Sequence, residues 1–289
     1  MKARPTGSVL IMALALSCSC AVRAQPPQSA SAPPSLPAPA PSAAWRPDDR
    51  VTLSADVATL TGTDGGGGGD AAYLQQLSPD LLVGAGADYQ RLANSYWTFA
   101  SLNTSFSHAL TTHSRWDLHA DVHEGGGENY GLHGAPNQTF TYSIAGAGAG
   151  LALPGGVAAD LEDRYFDVDG TTGYLPKLTL ARSWGTHWLT TAAYASSYSG
   201  NLDTNYGLLR LDYYGRGYGA LGGISVGRVS PAVVDIAGVL RAQARHLTEG
   251  FLGVSKTIER VDLSLLGDDI DLLGIRHLTV TLQCTIHLR

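Results

Sequence analysis

The chain has 289 residues and a formal net charge of −6, and its lysines are only Lys2, Lys177 and Lys256. No basic stripe runs along it, which excludes a nucleic-acid binder. Beyond the N-terminus no apolar run approaches the ~20 residues of a membrane-spanning helix; the longest, Ile144–Leu153, is interrupted by glycine and stopped by Pro154.

The first residues read as a secretory signal, 1–24. Lys2 and Arg4 supply the positive start, Val9–Leu16 the apolar core, and Val22-Arg23-Ala24 a small-residue cleavage site before Gln25. Ala15 and the Ser17-Cys18-Ser19 run are poor contexts for lipid attachment at Cys18 or Cys20. Cleavage after Ala24 leaves Cys284 alone, so no internal disulfide is expected. A Pro/Ala/Ser-rich stretch over 25–47 then reads as a disordered spacer.

From 48 to 289 the pattern is one of alternating segments. We expect strands near 51–61, 71–78, 80–91, 95–109, 114–124, 138–152, 156–167, 174–184, 186–199, 204–215, 217–228, 232–246, 249–265 and 276–288. Prolines after the spacer, at 79, 136, 154, 176 and 231, are expected at or near breaks, because proline removes a ladder donor. Short turns are expected at Ser78-Pro79, Leu110–His113, Leu153–Gly155, Gly185, Gly215-Arg216 and Leu247-Thr248. Longer loops are expected at Thr61–Asp70, Gly125–Asn137, Asp167–Gly173, Gly200–Asp203 and Gly267–Arg276, with Gly65–Gly69 as a flexible outer loop. Short turns on one side and longer loops on the other suit a transmembrane barrel.

Strand side chains alternate faces, so parity separates two walls. Arg115–Glu124 sets Trp116, Leu118, Ala120 and Val122 against Asp117, His119, Asp121 and His123. Leu278, Val280, Leu282, Cys284, Ile286 and Leu288 interleave with His277, Thr279, Thr281, Gln283, Thr285 and His287. Outward faces elsewhere are Leu81, Val83, Ala85 and Ala87; Leu209, Leu211 and Tyr213; and Val234, Ile236, Leu240 and Ala242. Their opposite faces carry Asp88 and Gln90; Asp160, Glu162 and Arg164; Arg210 and Asp212; and Asp235, Arg241, Gln243 and Arg245. A dry sandwich core could not hold so many charges. The expectation is therefore all-β: an antiparallel up-and-down transmembrane β-barrel of about 14 strands, within a range of roughly 12–16. Trp184/Trp188 and Tyr213/Tyr214/Tyr218 are its expected aromatic girdle.

The run Leu161–Gly170 (L-E-D-R-Y-F-D-V-D-G), then L-P-K-L-T-L, then Ser197–Gly215, resembles the YaiO-type outer-membrane β-barrel family, most clearly over residues 157–228. The resemblance implies an outer-membrane barrel connected with surface polysaccharide, and it carries no catalytic residues. One departure is the ending His287-Leu288-Arg289, where such barrels usually end on an aromatic residue.

Site chemistry is sparse. His119, Asp121 and His123 share a face, but residues two apart on a strand are ~6–7 Å apart, long for one zinc ion, and the stretch reads as a hydrated channel wall with no metal assigned. No G-x-S-x-G elbow occurs. Asp268-Asp269-Ile270-Asp271 lacks the twelve-residue calcium loop and reads as a solvated turn. The Gly146, Gly148 and Gly150 series misplaces the third glycine of a nucleotide loop; small residues in a strand instead let neighbouring groups approach.

The lumen-facing candidates are thus Asp117, His119, Asp121, His123, Asp160, Glu162, Arg164, Arg210, Asp212, Asp235, Arg241 and Arg245. The expected function is a non-enzymatic outer-membrane channel or export accessory for a polar, saccharide-like ligand, with no cofactor. Alternatives are a barrel-wall lipid or glycan hydrolase and a structural or adhesive surface barrel. Expected partners are outer-membrane lipid, the barrel-assembly machinery and a surface polysaccharide with its synthesis and export proteins.

Overall fold

A computed structural model describes residues 49–60, 65–92, 95–111, 114–129, 138–168, 171–198, 205–229, 245–272 and 275–288. The signal and spacer readings lie outside these residues. Fourteen strands follow in order: β1 Arg50–Leu60, β2 Gly66–Gln76, β3 Leu81–Leu92, β4 Ser95–Thr111, β5 Ser114–Asn129, β6 Gln138–Leu153, β7 Val157–Val168, β8 Thr171–Trp184, β9 Trp188–Ser196, β10 Asn205–Tyr214, β11 Tyr218–Val229, β12 Arg245–Ile258, β13 Val261–Leu272 and β14 Ile275–His287. Each pairs antiparallel with its sequence neighbour, and β1 closes on β14 from Arg50↔His287 to Leu60↔His277. The fold is the expected closed up-and-down barrel. Closure leaves no unpaired edge, the condition for strands to cross a bilayer.

Parity sets the two walls. On β14, Leu278, Val280, Leu282 and Ile286 are outward and exposed, while His277, Thr279 and Thr285 are inward and buried. The same belt continues through Leu53 and Val57, Leu102, Leu178 and Leu180, Leu209 and Leu211, Ile224 and Val226, Leu252 and Val254, and Leu263 and Leu265. A soluble monomer rarely exposes a contiguous apolar patch beyond a few hundred Å²; here the belt runs around the barrel, and lipid is the solvent that suits it.

Aromatic rings bound the belt. At the short-turn end Trp188 packs on Tyr213 with centroids 4.8 Å apart, Tyr213 on Tyr218 at 5.7 Å, and Phe106 on Trp116 at 5.4 Å. At the other end Tyr174 stacks on Tyr198 with centroids 5.5 Å apart and meets Tyr165 at a tilt with centroids 5.1 Å apart. Tyr174 and Trp184 terminate the belt on one strand, β8. Their ten-residue separation is roughly 33 Å of strand at ~3.3 Å per residue, or about 25 Å along the axis at a ~40° tilt. That matches the apolar height of an outer-membrane barrel. Tyr214, expected in the girdle, has the opposite parity to Tyr213 and is not part of the outer ring.

Several boundaries differ from expectation. The segment expected at 249–265 is two strands, because Glu259 turns the chain with φ 55° and Arg260 completes the β12–β13 connection. This turn has neither glycine nor proline, so residue type gave no signal. Parity did carry one: the outward residues are even-numbered through Leu252, Val254 and Ile258, then odd-numbered at Leu263 and Leu265. Consequently Leu247-Thr248 is part of β12 rather than a turn, and Asp268–Asp271 lies within β13. Much of the expected 232–246 strand falls outside the described residues.

Gly66–Gly69 pair with Ala55–Ala58 as the start of β2, so the glycine run is ladder rather than outer loop. Gly125–Asn129 likewise extends β5. Pro176 sits within β8, opposite Asp163; the ladder to β9 ends at Lys177↔Ala195, so a missing donor is tolerated beside it.

Candidate functional site: the charged lumenal wall

Four adjacent strands align their inward residues in rows. One row is Asp117–Gly150–Asp160–Thr179, the next His119–Gly148–Glu162–Lys177, and the third Asp121–Gly146–Arg164–Leu175, read from β5 to β8. Every row has glycine on β6. A Cβ at Gly146 would lie 2.7 Å from Asp121 Oδ1, and one at Gly148 or Gly150 would collide with His119 or Asp117. The bare strand therefore lets β5 side chains reach across to β7, a strand with which β5 does not pair.

The contacts follow from that reach. Arg164 Nη2 donates to Asp121 Oδ1 at 3.2 Å, and Arg164 Nε donates to Glu162 Oε1. Lys177 pairs with the other Glu162 oxygen. Glu162 is 4% exposed, so its two cationic partners are what make its ionised form tolerable there. His123 Nε2 lies 2.8 Å from Asp121 Oδ2, and its ring meets Phe99 edge-on at 5.8 Å. His119 Nδ1 stands 3.4 Å from Asp117 Oδ2 and 3.7 Å from Asp160 Oδ2. The two histidines of β5 are thus held by different carboxylates and share no ligand set.

A second charged pair lies on β10, where Arg210 Nε donates to both oxygens of Asp212 at 2.9 Å. The arc through β1, β3 and β11–β14 is different in kind. Gln90 donates to Asp56 at 2.8 Å, but Glu249 is 1% exposed and, among the described residues, neither of its carboxylate oxygens has a partner at hydrogen-bonding geometry. Near the loop end of β6–β10 the inward residues Ile144, Phe166, Leu175, Tyr206 and Leu208 are buried and pack that side of the lumen with apolar side chains.

Of the twelve sequence candidates, nine take part in these two charged clusters. Arg245 begins β12 opposite Val229, and Asp235 and Arg241 lie outside the described residues. Lys177 was missed, although its alternation with Leu178 and Leu180 marks it as inward. Glu249 and Asp56 were missed too; the misread β12–β13 boundary hid the parity of the first. The apolar lumenal cluster had no sequence signal, since its members look like ordinary strand residues.

A closed antiparallel barrel with a lipid-facing belt and a charged interior defines the outer-membrane β-barrel fold. Among solved structures, the chain is similar to the CymD monoaromatic hydrocarbon channel, with a TM-score of 0.53, 12% identity, and coverage of 85% of this chain and 90% of that one. It is also similar to the P. putida toluene transporter TodX, with a TM-score of 0.54, 12% identity, and coverage of 86% and 91%. No protein-family model and no curated protein matches the chain.

Proposed function

We propose that this protein is a non-enzymatic channel of the outer membrane that passes a polar solute, with carbohydrate as its ligand class. The observation that carries the reading is the Asp121–Arg164–Glu162–Lys177 ladder on the lumenal wall. A purely structural barrel gains nothing from holding such groups inside, whereas alternating carboxylates and cations offer acceptors and donors to sugar hydroxyls. The YaiO-type resemblance adds surface polysaccharide as the cargo, with its synthesis and export proteins as partners. Export by the 1–24 signal and insertion by the assembly machinery complete the proposal.

Planar-bilayer recording on the purified protein tests it, repeated with Asp121→Arg and Arg210→Glu. Discrete conductance is expected, with ion preference moving toward anions in the first variant and toward cations in the second. A silent barrel, or conductance indifferent to both changes, overturns the reading.

A second reading has one observation in its favour. The apolar group Ile144, Phe166, Leu175 and Leu208 would suit a partly apolar solute, and the CymD and TodX structures are those of hydrocarbon channels. Proteoliposome uptake separates the two: sugar permeation supports the first, and toluene entry without sugar permeation supports the second.

A further inference from the structure

We propose that Asp117, His119 and Asp160 form a binding site for one divalent transition-metal ion, of which zinc is the best-fitting class, on the lumenal wall. The three side chains come from two strands that do not pair, β5 and β7, and they each present one ligand atom within 4.8 Å of the others. The spacings around His119 Nδ1 are 3.4 Å to Asp117 and 3.7 Å to Asp160. Good N–H···O hydrogen bonds lie at about 2.7–3.2 Å, so the His119–Asp117 contact is long and the His119–Asp160 contact longer still. Ligands at ~2.1 Å from a tetrahedral ion are instead about 3.4 Å from one another. The two spacings around His119 Nδ1 resemble edges of such a polyhedron, and the two carboxylates lie within 4.8 Å of each other.

Charge points the same way. Glu162 is matched by Arg164 and Lys177, and Asp121 by Arg164 and His123. Among the described residues, the direct ion-pair contacts of Asp117 and Asp160 are to the imidazole between them, and the Lys177 ammonium, paired with Glu162, acts on Asp160 only from a greater distance. With His119 neutral, the two carboxylates have no cation in direct contact among those residues, a place that a dication would fill. A nitrogen donor with two oxygens suits a borderline ion such as zinc better than the all-oxygen shells of calcium or magnesium.

The glycines of β6 explain why this can be a site at all. A side chain at Gly148 would meet His119 Nε2, and one at Gly150 would meet Asp117. Without those two glycines neither group could lie across β6 toward Asp160. The inference is independent of the channel reading, since a closed lumen could hold the ion equally well.

The test uses the untagged full-length protein, purified in detergent and stripped of metal, titrated with cobalt(II) and then zinc. One equivalent of cobalt should bind with visible d–d absorption, and zinc should displace it. His119→Ala and Asp160→Asn should each weaken binding by roughly tenfold or more, at least the loss typical of second-shell changes. His108→Ala, at the short-turn rim beside Asp80, should leave it unchanged. Heat-modifiable electrophoretic mobility confirms that each variant is a folded barrel. Absence of stoichiometric binding overturns the proposal, as does binding indifferent to His119→Ala. Displacement of cobalt by calcium as readily as by zinc would also overturn it, since that implies oxygen ligands alone.

Discussion

The imidazole of His119 on β5 occupies the space that a side chain at Gly148 on β6 would fill. The relation is directional: β6 gives up its side chains so that β5 and β7 can interact over it. A strand glycine ordinarily weakens a sheet, so three in alternate inward positions make sense only if something lies across them.

Gly148→Val should therefore destabilise the barrel by about 1–3 kcal/mol, the usual cost of overpacking. The control is Gly250→Val, on the outward parity of β12, where an added Cβ meets nothing within 4 Å among the described residues. That change should be neutral or stabilising, because it adds a β-branched residue facing lipid. Denaturant unfolding of both variants in lipid vesicles measures the difference, and equal effects would mean that His119 does not lie over Gly148.

Glu162 gives a second prediction. Its two cations are partly redundant, so Arg164→Met or Lys177→Met alone leaves the carboxylate one partner. The double variant leaves it buried without either, a situation that costs about 3–5 kcal/mol. Its destabilisation should exceed the sum of the single effects by roughly 0.5–3 kcal/mol. Adding Glu162→Gln should recover much of that excess. Additive behaviour in the unfolding cycle would show that the groups do not share Glu162.

The two walls can be compared at adjacent positions. Val280 is 40% exposed on the outer face, opposite the equally outward Val57, and Thr281 points inward. Val280→Arg should cost about 2–4 kcal/mol near the bilayer midplane, whereas Thr281→Arg should cost little. The check is unfolding in lipid vesicles, and similar costs would contradict a lipid-facing parity.

Orientation follows from where the chain ends meet. Arg50 pairs with His287 at the end that carries the short turns, so that end is expected to face the periplasm. In a Cys284→Ser background, Tyr198→Cys, just beyond β9, should react with an impermeant maleimide on intact cells. Thr186→Cys, in the β8–β9 turn, should react only after lysis. The reverse labelling would invert the topology.

The sequence by itself determined that this chain is a barrel and which wall most of its strand residues face. Period-two alternation is local, and a closed antiparallel sheet is the one way to place an apolar and a charged parity between lipid and water. It even marked Gly146, Gly148 and Gly150 as places where neighbours come close. What it did not fix was the Glu259-Arg260 turn, whose residues carry no turn chemistry and which shows only as a switch of parity. Nor did it fix partners. His119 and His123 stand four apart in sequence on one face of β5, yet one meets Asp160 from β7 and the other Asp121 beside it. Which carboxylate each imidazole faces depends on the register of three strands at once, and register arises from pairing between segments tens of residues apart. Only the tertiary structure decides that.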